Sequence, residues 1–180
     1  MARLPYLTRD ELAPEHRDVL ARDIWLNRVL ANSPGAARAV TDFAMFIRHR
    51  SRLDPRLRQL AILQVGWLAR SPYEWSHHVR IGLDCGCTEA DIRAIATESA
   101  GGASALEPAA RLVLRGAREM YEGAMRAATF DALRPHLDAE CLTDLVATIA
   151  FYCGVVRLLA TLEVEVEPDY QPMLDAHPLP

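Results

Sequence analysis

Lysine is absent from the 180 residues, and all 20 basic side chains are arginine. That absence excludes a Schiff-base lysine, a pyridoxal-phosphate anchor and a Walker-type phosphate lysine. Cysteine is scarce, limited to Cys85, Cys87, Cys141 and Cys153. Cys141 and Cys153 fall on one predicted helix, about 18 Å apart at ~1.5 Å per residue, beyond disulfide reach. Cys85 and Cys87 are too close for a common disulfide and have no second ligand pair for a structural zinc. Reduced thiols serving packing or turns are the expectation, with no metal and no cofactor. The N-terminus has no apolar run behind its first arginine, so neither a secretory signal nor a transit peptide is read there, and a cytoplasmic location is expected. A net charge of −4 and a pI near 5.9 argue against DNA or RNA as partners. The one long apolar run, Leu145 to Leu162, contains Arg157 and borders Asp144. It reads as a core helix and not a membrane span.

Strand-like alternation is nearly absent as well. Apolar residues recur at spacings of three and four, punctuated by Pro and Gly, which predicts an all-α helical bundle in one domain over residues 1–180. Residues 1–33 form an N-terminal extension, with a helix from near Pro14 into Leu30. The next helix, restarted at Pro34, presents Ala37, Val40, Phe43, Ala44 and Ile47 on one face. Asp54 and Pro55 open a helix to about Ala69, apolar on nearly every side except at Gln59 and Gln64. Ser71 to Gly86 then packs back against it as a central antiparallel hairpin. Thr88 and Asp91 cap a short helix, and further helices are expected at Glu107–Met125, at Thr129–Leu137 with an interruption at Pro135, and, capped by Asp138, up to Leu162. Residues 163–180 are an acidic, proline-rich tail that docks on a surface or a neighbouring subunit.

The richest stretch chemically is Ser71–Gly86, SPYEWSHHVRIGLDCG. Ser71 as N-cap, Pro72 at the first helical position and Glu74 three residues after the cap form a capping-box signature. Glu74 and His78, four apart, share a helical face, so the carboxylate can orient or tune the imidazole. His77 points elsewhere and is read as structural. The plainer alternative remains open for each: Glu74 only closing the box, His78 a satisfied core histidine, Tyr73 and Trp75 core or interface aromatics. The cationic run from Arg48 to Arg52 either complements a helix dipole or forms an anion-attracting rim. Arg157 either serves a ligand or pairs with Asp144 or Glu163.

The run Leu53-Asp-Pro-Arg-Leu-Arg-Gln-Leu-Ala-Ile-Leu, then Tyr73-Glu74-Trp75, His78 and Gly86-Cys-Thr-Glu-Ala-Asp-Ile, resembles the carboxymuconolactone decarboxylase family, which includes the alkylhydroperoxidase D-like proteins. Thiol members of that family carry Cys-x-x-Cys with a histidine four residues on. The resemblance puts Ser71 and Glu74 at the cysteine positions, retains His78, and puts Gln59 where a relay glutamate stands. It therefore implies the non-thiol branch, since a peroxidase mechanism needs a thiolate and a resolving partner. The expected activity is a cofactor-independent lyase or isomerase acting on a small anionic lactone or unsaturated carboxylate. His78 is the expected proton donor and Glu74 its orienting partner. Gln59, Tyr73, Trp75, Arg48, Arg80 and Arg157 are the candidates for binding substrate. A non-catalytic ligand-binding or assembly protein of the same fold is the alternative, with a thiol antioxidant behind it. Either way a homo-oligomer, a dimer, trimer or hexamer, is expected.

Overall fold

The structure is a computed structural model and describes residues 2–180. Among them are nine α-helices and no strands: α1 (Trp25–Leu30), α2 (Pro34–His49), α3 (Pro55–Leu68), α4 (Pro72–Asp84), α5 (Glu89–Ser99), α6 (Pro108–Glu122), α7 (Ala127–Leu133), α8 (Ala139–Leu162) and α9 (Gln171–Ala176). The caps explain most of the boundaries. Asp54 accepts from the Leu57 amide at 2.9 Å, Asp138 accepts from Cys141 at 2.8 Å, and Thr88 and Asp91 close a reciprocal box at the start of α5. α4 ends at Asp84, and Gly86 follows with φ +93°, the left-handed turn that reverses the chain toward α5.

α3 is the axis of the bundle. Every residue from Leu57 to Gly66 is buried, because α4, α5, α6 and α8 all pack around it. An amphipathic stripe would fail here; the all-round apolar sequence is what such a position requires. Two of its polar exceptions are answered within the bundle. Gln64 bonds Ser99 Oγ at 2.9 Å and accepts from Arg118 at 3.0 Å. Arg56, at the exposed end, joins Asp91 of α5 at 2.6 Å and Glu107, ahead of α6, at 2.7 Å. α3 and α4 form the expected hairpin across the short turn at Arg70 and Ser71.

Three segments refine the sequence reading. The expected helix from Pro14 to Leu30 is a 3₁₀ segment, Pro14–Leu20, a bend, and then α1. The helix expected at Thr129–Leu137 begins two residues earlier, at Ala127, and ends at Leu133, ahead of the expected interruption at Pro135, whose ring disfavours helical geometry in the residue preceding it. The tail docks on its own chain: a 3₁₀ turn at Pro168–Tyr170 leads into α9, which lies against α4. The N-terminal lead follows it, with the Arg3 amide bonding Leu162 O at 2.9 Å and the Glu165 amide donating to Tyr6 Oη at 3.0 Å. α8 alone among the described helices is long and apolar enough to cross a membrane, and 44% of its most apolar window is buried inside the bundle.

Candidate active site

His78 projects from the middle of α4 toward α3 and is held from both sides. Its Nδ1 lies 2.7 Å from Gln59 Oε1, and an amide oxygen only accepts, so Nδ1 carries the proton. Nε2 is left as a lone pair, 3.0 Å from Glu74 Oε1. That approach is not aligned for a hydrogen bond, and Glu74 Oε1 stays buried with no partner among the described residues. Ser71 Oγ does accept from the Glu74 amide, at 3.4 Å, but the Glu74 side chain turns to His78 and does not close the expected capping box.

Burial pushes the Glu74 carboxyl up to about 8, opposed only by the positive charge of Arg22. Burial also drives the His78 imidazole well below its ordinary value, and the charges of His77, Arg22, Arg48 and Arg58 drive it further. At neutral pH both groups are therefore uncharged, a carboxylic acid facing an imidazole lone pair. The proton affinities run opposite to the sequence expectation, which put the transferable proton on His78. Tyr152 of α8 stands edge-on to the His78 ring at 5.1 Å, and its hydroxyl is raised by burial and by Glu74.

Two adjoining cavities meet at His78 and Tyr152. One, about 60 Å³, is bordered by Asn27, Thr41, Tyr73, Glu74 and Phe151. The other, about 30 Å³, is bordered by Arg48, Arg58, Gln59 and Ile62. Arg22, Ala44 and Met45 belong to both walls. Of the four buried side-chain polar atoms without a partner among the described residues, three belong to this lining: Thr41 Oγ1, Glu74 Oε1 and Arg58 Nε. Native proteins leave few such atoms, and their gathering around these two adjoining cavities marks a place suited to a polar ligand or water. A larger groove of about 650 Å³ between α7 and α8 carries none of these groups.

Residues 34–119, the span holding α2 to α5 and most of α6, match the model of the carboxymuconolactone decarboxylase family. No curated protein matches the sequence. Among solved structures, the chain is similar to a peroxidase-related alkylhydroperoxidase AhpD core protein of uncharacterised function from Ralstonia eutropha JMP134, at 18% identity and TM-score 0.79, covering 96% of this chain and 95% of that one. It is similar to a variant of the debrominase Bmp8 crystallised with 2,3,4-tribromopyrrole, at 18% identity and TM-score 0.80, covering 98% and 97%. A protein of unknown function from Agrobacterium tumefaciens shares 18% identity and a TM-score of 0.67, over 77% of this chain and 94% of that one. At such identities the likeness shows the fold, an AhpD-type all-α core.

In this chain the structure brings together Glu74, His78, Gln59, Tyr73 and Arg48. It leaves out three expected residues. Trp75 faces the opposite side of α4, buried against Trp67 at 5.3 Å and donating from Nε1 to His177 O at 2.6 Å. Arg80, two residues beyond His78 on the helix, is exposed and lies over the Tyr170 ring at 5.5 Å. Arg157 is also exposed, bonded to Cys153 O and lying over Tyr121 at 5.4 Å. It pairs with neither Asp144, which accepts from Ser51 Oγ at 2.7 Å, nor Glu163, which pairs with Arg3 at 2.8 Å. The sequence reading did not single out Arg22, Arg58, Thr41 or Tyr152, all of which line the two cavities. All four cysteines are free, none lines either cavity, and burial pushes Cys87 up to about 12. Among the described residues no three His, Cys, Asp or Glu side chains group as a metal site.

Proposed function

We propose that the protein is a cofactor-independent lyase or isomerase that moves a proton on a small unsaturated carboxylate or lactone, with Glu74 as general acid and His78 Nε2 as its neighbouring base. The observation that carries this reading is the neutral pair itself: a protonated carboxyl and an imidazole lone pair 3.0 Å apart, facing a cavity, with Gln59 fixing the ring. In a decarboxylation, the bond to the carboxylate carbon breaks, carbon dioxide leaves, and the electron pair passes into the conjugated system. Glu74 then delivers its proton to carbon and is reprotonated from water. In an isomerisation, His78 Nε2 removes a proton from one carbon while Glu74 supplies one to another. The same pair serves both, since both need an acid and a base poised near neutral pH.

The two lobes, about 60 and 30 Å³, are smaller than the roughly 150 Å³ cavity that admits benzene in an engineered core. Binding a lactone acid therefore requires the shared wall to move, and Met45, unbranched and 39% exposed, is the side chain there with freedom to do so. That narrowness favours the second reading, a binding module of the same fold without turnover. Assay of unsaturated lactone acids in D₂O, followed by NMR for carbon-bound deuterium and by carbon dioxide release, separates the two. Glu74→Gln and His78→Gln should each lower the rate by roughly 10²-fold or more, while replacement of all four cysteines by Ser or Ala leaves it intact. Full turnover in either single variant, or loss in the cysteine-free protein, would overturn the acid/base reading. Ligand binding with no turnover in wild type would leave the binding module.

A further inference from the structure

Arg22, Arg48 and Arg58 converge on the smaller lobe, and among the described residues none of the three guanidinium groups makes an ion pair or a hydrogen bond. Many other arginines are paired with carboxylates, among them Arg28 with Asp23, Arg38 with Asp18, Arg52 with Glu140, and Arg56 with Asp91 and Glu107. The protein carries a net charge of −4, so carboxylates are not in short supply. Arg58 is the sharpest case, only 4% exposed with its Nε unpartnered. A buried, unpaired cation costs several kcal/mol as an order of magnitude, and natural cores avoid it unless something completes it. Glu74, 3.0 Å from His78, is pushed toward its protonated form by burial, with Arg22 drawing it the other way, and it makes no ion pair with any of the three arginines. All three arginine charges act on both His78 and Tyr152, which places them around one point next to the reacting pair.

We infer that this lobe is a built seat for a compact oxyanion, and that the oxyanion is a carboxylate of the substrate, held by Arg22, Arg48 and Arg58 on the Gln59 side of His78 while the reacting carbon lies on the Glu74 side. The occupant is then an unsaturated acid whose carboxylate and proton-exchanging carbon are separated by about the width of an imidazole ring. Guanidinium forks suit a carboxylate's two oxygens, and seating it would neutralise the excess charge. The seat keeps that carboxylate away from Glu74, so the acid is not discharged by direct proton transfer to it. Identifying the anion as substrate rests on the proposed proton chemistry; the existence of the seat does not.

The test is anion binding, read by thermal shift and calorimetry at constant ionic strength with chloride as the control salt. Malonate should raise the melting temperature of the wild type beyond chloride, and binding should weaken about tenfold or more in Arg58→Met and in Arg48→Gln, for the loss of one charged hydrogen-bonding partner. Arg48 is exposed, so its variant keeps the test valid if the buried substitution fails to fold. Glu74→Gln should bind malonate as the wild type does. Equal shifts in wild type and both arginine variants, or no shift beyond chloride in wild type, would overturn the seat. Inorganic phosphate binding more tightly than malonate would overturn the carboxylate assignment in favour of a phosphoryl group. Malonate binding that survives alongside an unchanged rate in His78→Gln would keep the seat and remove the proposed chemistry.

Discussion

A carboxyl group that is neutral in the fold and ionised when unfolded makes stability depend on pH, and the sign follows from where the proton sits. For Glu74 the folded value is about 8 and the ordinary value 4.5, so between those limits the folded state holds the extra proton. Stability from this group therefore falls as pH rises from 4.5 and levels off above about 8. His78 works the other way: its folded value lies well below 6.5, so its cost is felt below 6.5 and vanishes above it. Between about pH 6.5 and 9 only the Glu74 effect remains, worth a fall of about 2 kcal/mol. Denaturant titrations across that window should show the decline in wild type and a flat profile in Glu74→Gln; a decline that persists in the variant would mean Glu74 is ionised when folded. The pairing behind this was legible in sequence because a spacing of four on one helix suffices to bring Glu74 and His78 together. The roles were not, since which partner keeps the proton depends on burial and on Arg22, Arg48 and Arg58, contributed by three other segments. Arg58 itself was hidden by position, one residue before Gln59 in a run whose neighbours all read as core.

At the scale of elements, α4 is fastened by the tail. Glu167 Oε1 accepts from the Trp25 amide at 2.7 Å and from Tyr73 Oη at 3.0 Å, while Oε2 meets His77 Nε2 at 2.7 Å. His77 stacks between Tyr73, at 4.2 Å, and Tyr170, at 3.5 Å. So His77, read from the sequence as pointing elsewhere, points at the tail, and its partner lies ninety residues on in a segment whose acidic, proline-rich composition gave no sign of burial. Burial alone would raise the Glu167 carboxyl, but the hydrogen bonds from His77 and Trp25 hold it below its usual value. Its contribution is therefore present above pH 4.5 and is lost as pH falls through its lower folded value. Burial keeps His77 below its ordinary value, so at neutral pH it is the neutral donor in this contact. Glu167→Ala should cost about 2–4 kcal/mol in denaturant unfolding, because it strands several buried donors at once. Limited proteolysis should then cut first within residues 163–180, and an unchanged digestion pattern would show that the tail is held by α9 alone. The helix caps at Asp54, Thr88 and Asp138 were readable because a cap is local; that the tail docks was expected, but its partners on α4 are long-range and left no local mark.

Taken as a whole, the molecule leaves much of its most apolar helix uncovered. Along α8 one apolar groove of about 450 Å³ is lined by Phe151, Gly154, Val155 and Leu158, and the α7–α8 groove of about 650 Å³ by Phe130, Leu142 and Val146. Phe43, Met45 and Leu158 are among the exposed large apolar side chains, and Phe43 packs edge-on to Phe151 at 5.0 Å. Contiguous apolar surface of this extent marks an interaction face, and a second copy of the chain is the expected cover. Sedimentation at micromolar concentration should give a mass above the 20.0 kDa of one chain, and Leu158→Glu should shift it toward the monomer; a wild type that sediments only as monomer would remove the expectation. The consequence reaches the site, because Phe151 and Val155 border both the exposed groove and the Glu74 cavity. Covering the groove would pin one wall of that cavity, and Met45, in the other wall, is itself part of the exposed apolar surface. A monomeric Leu158→Glu variant should accordingly bind malonate more weakly than the assembled protein, although Leu158 touches neither lobe. Equal affinity in monomer and oligomer would show that the two faces of α8 work independently.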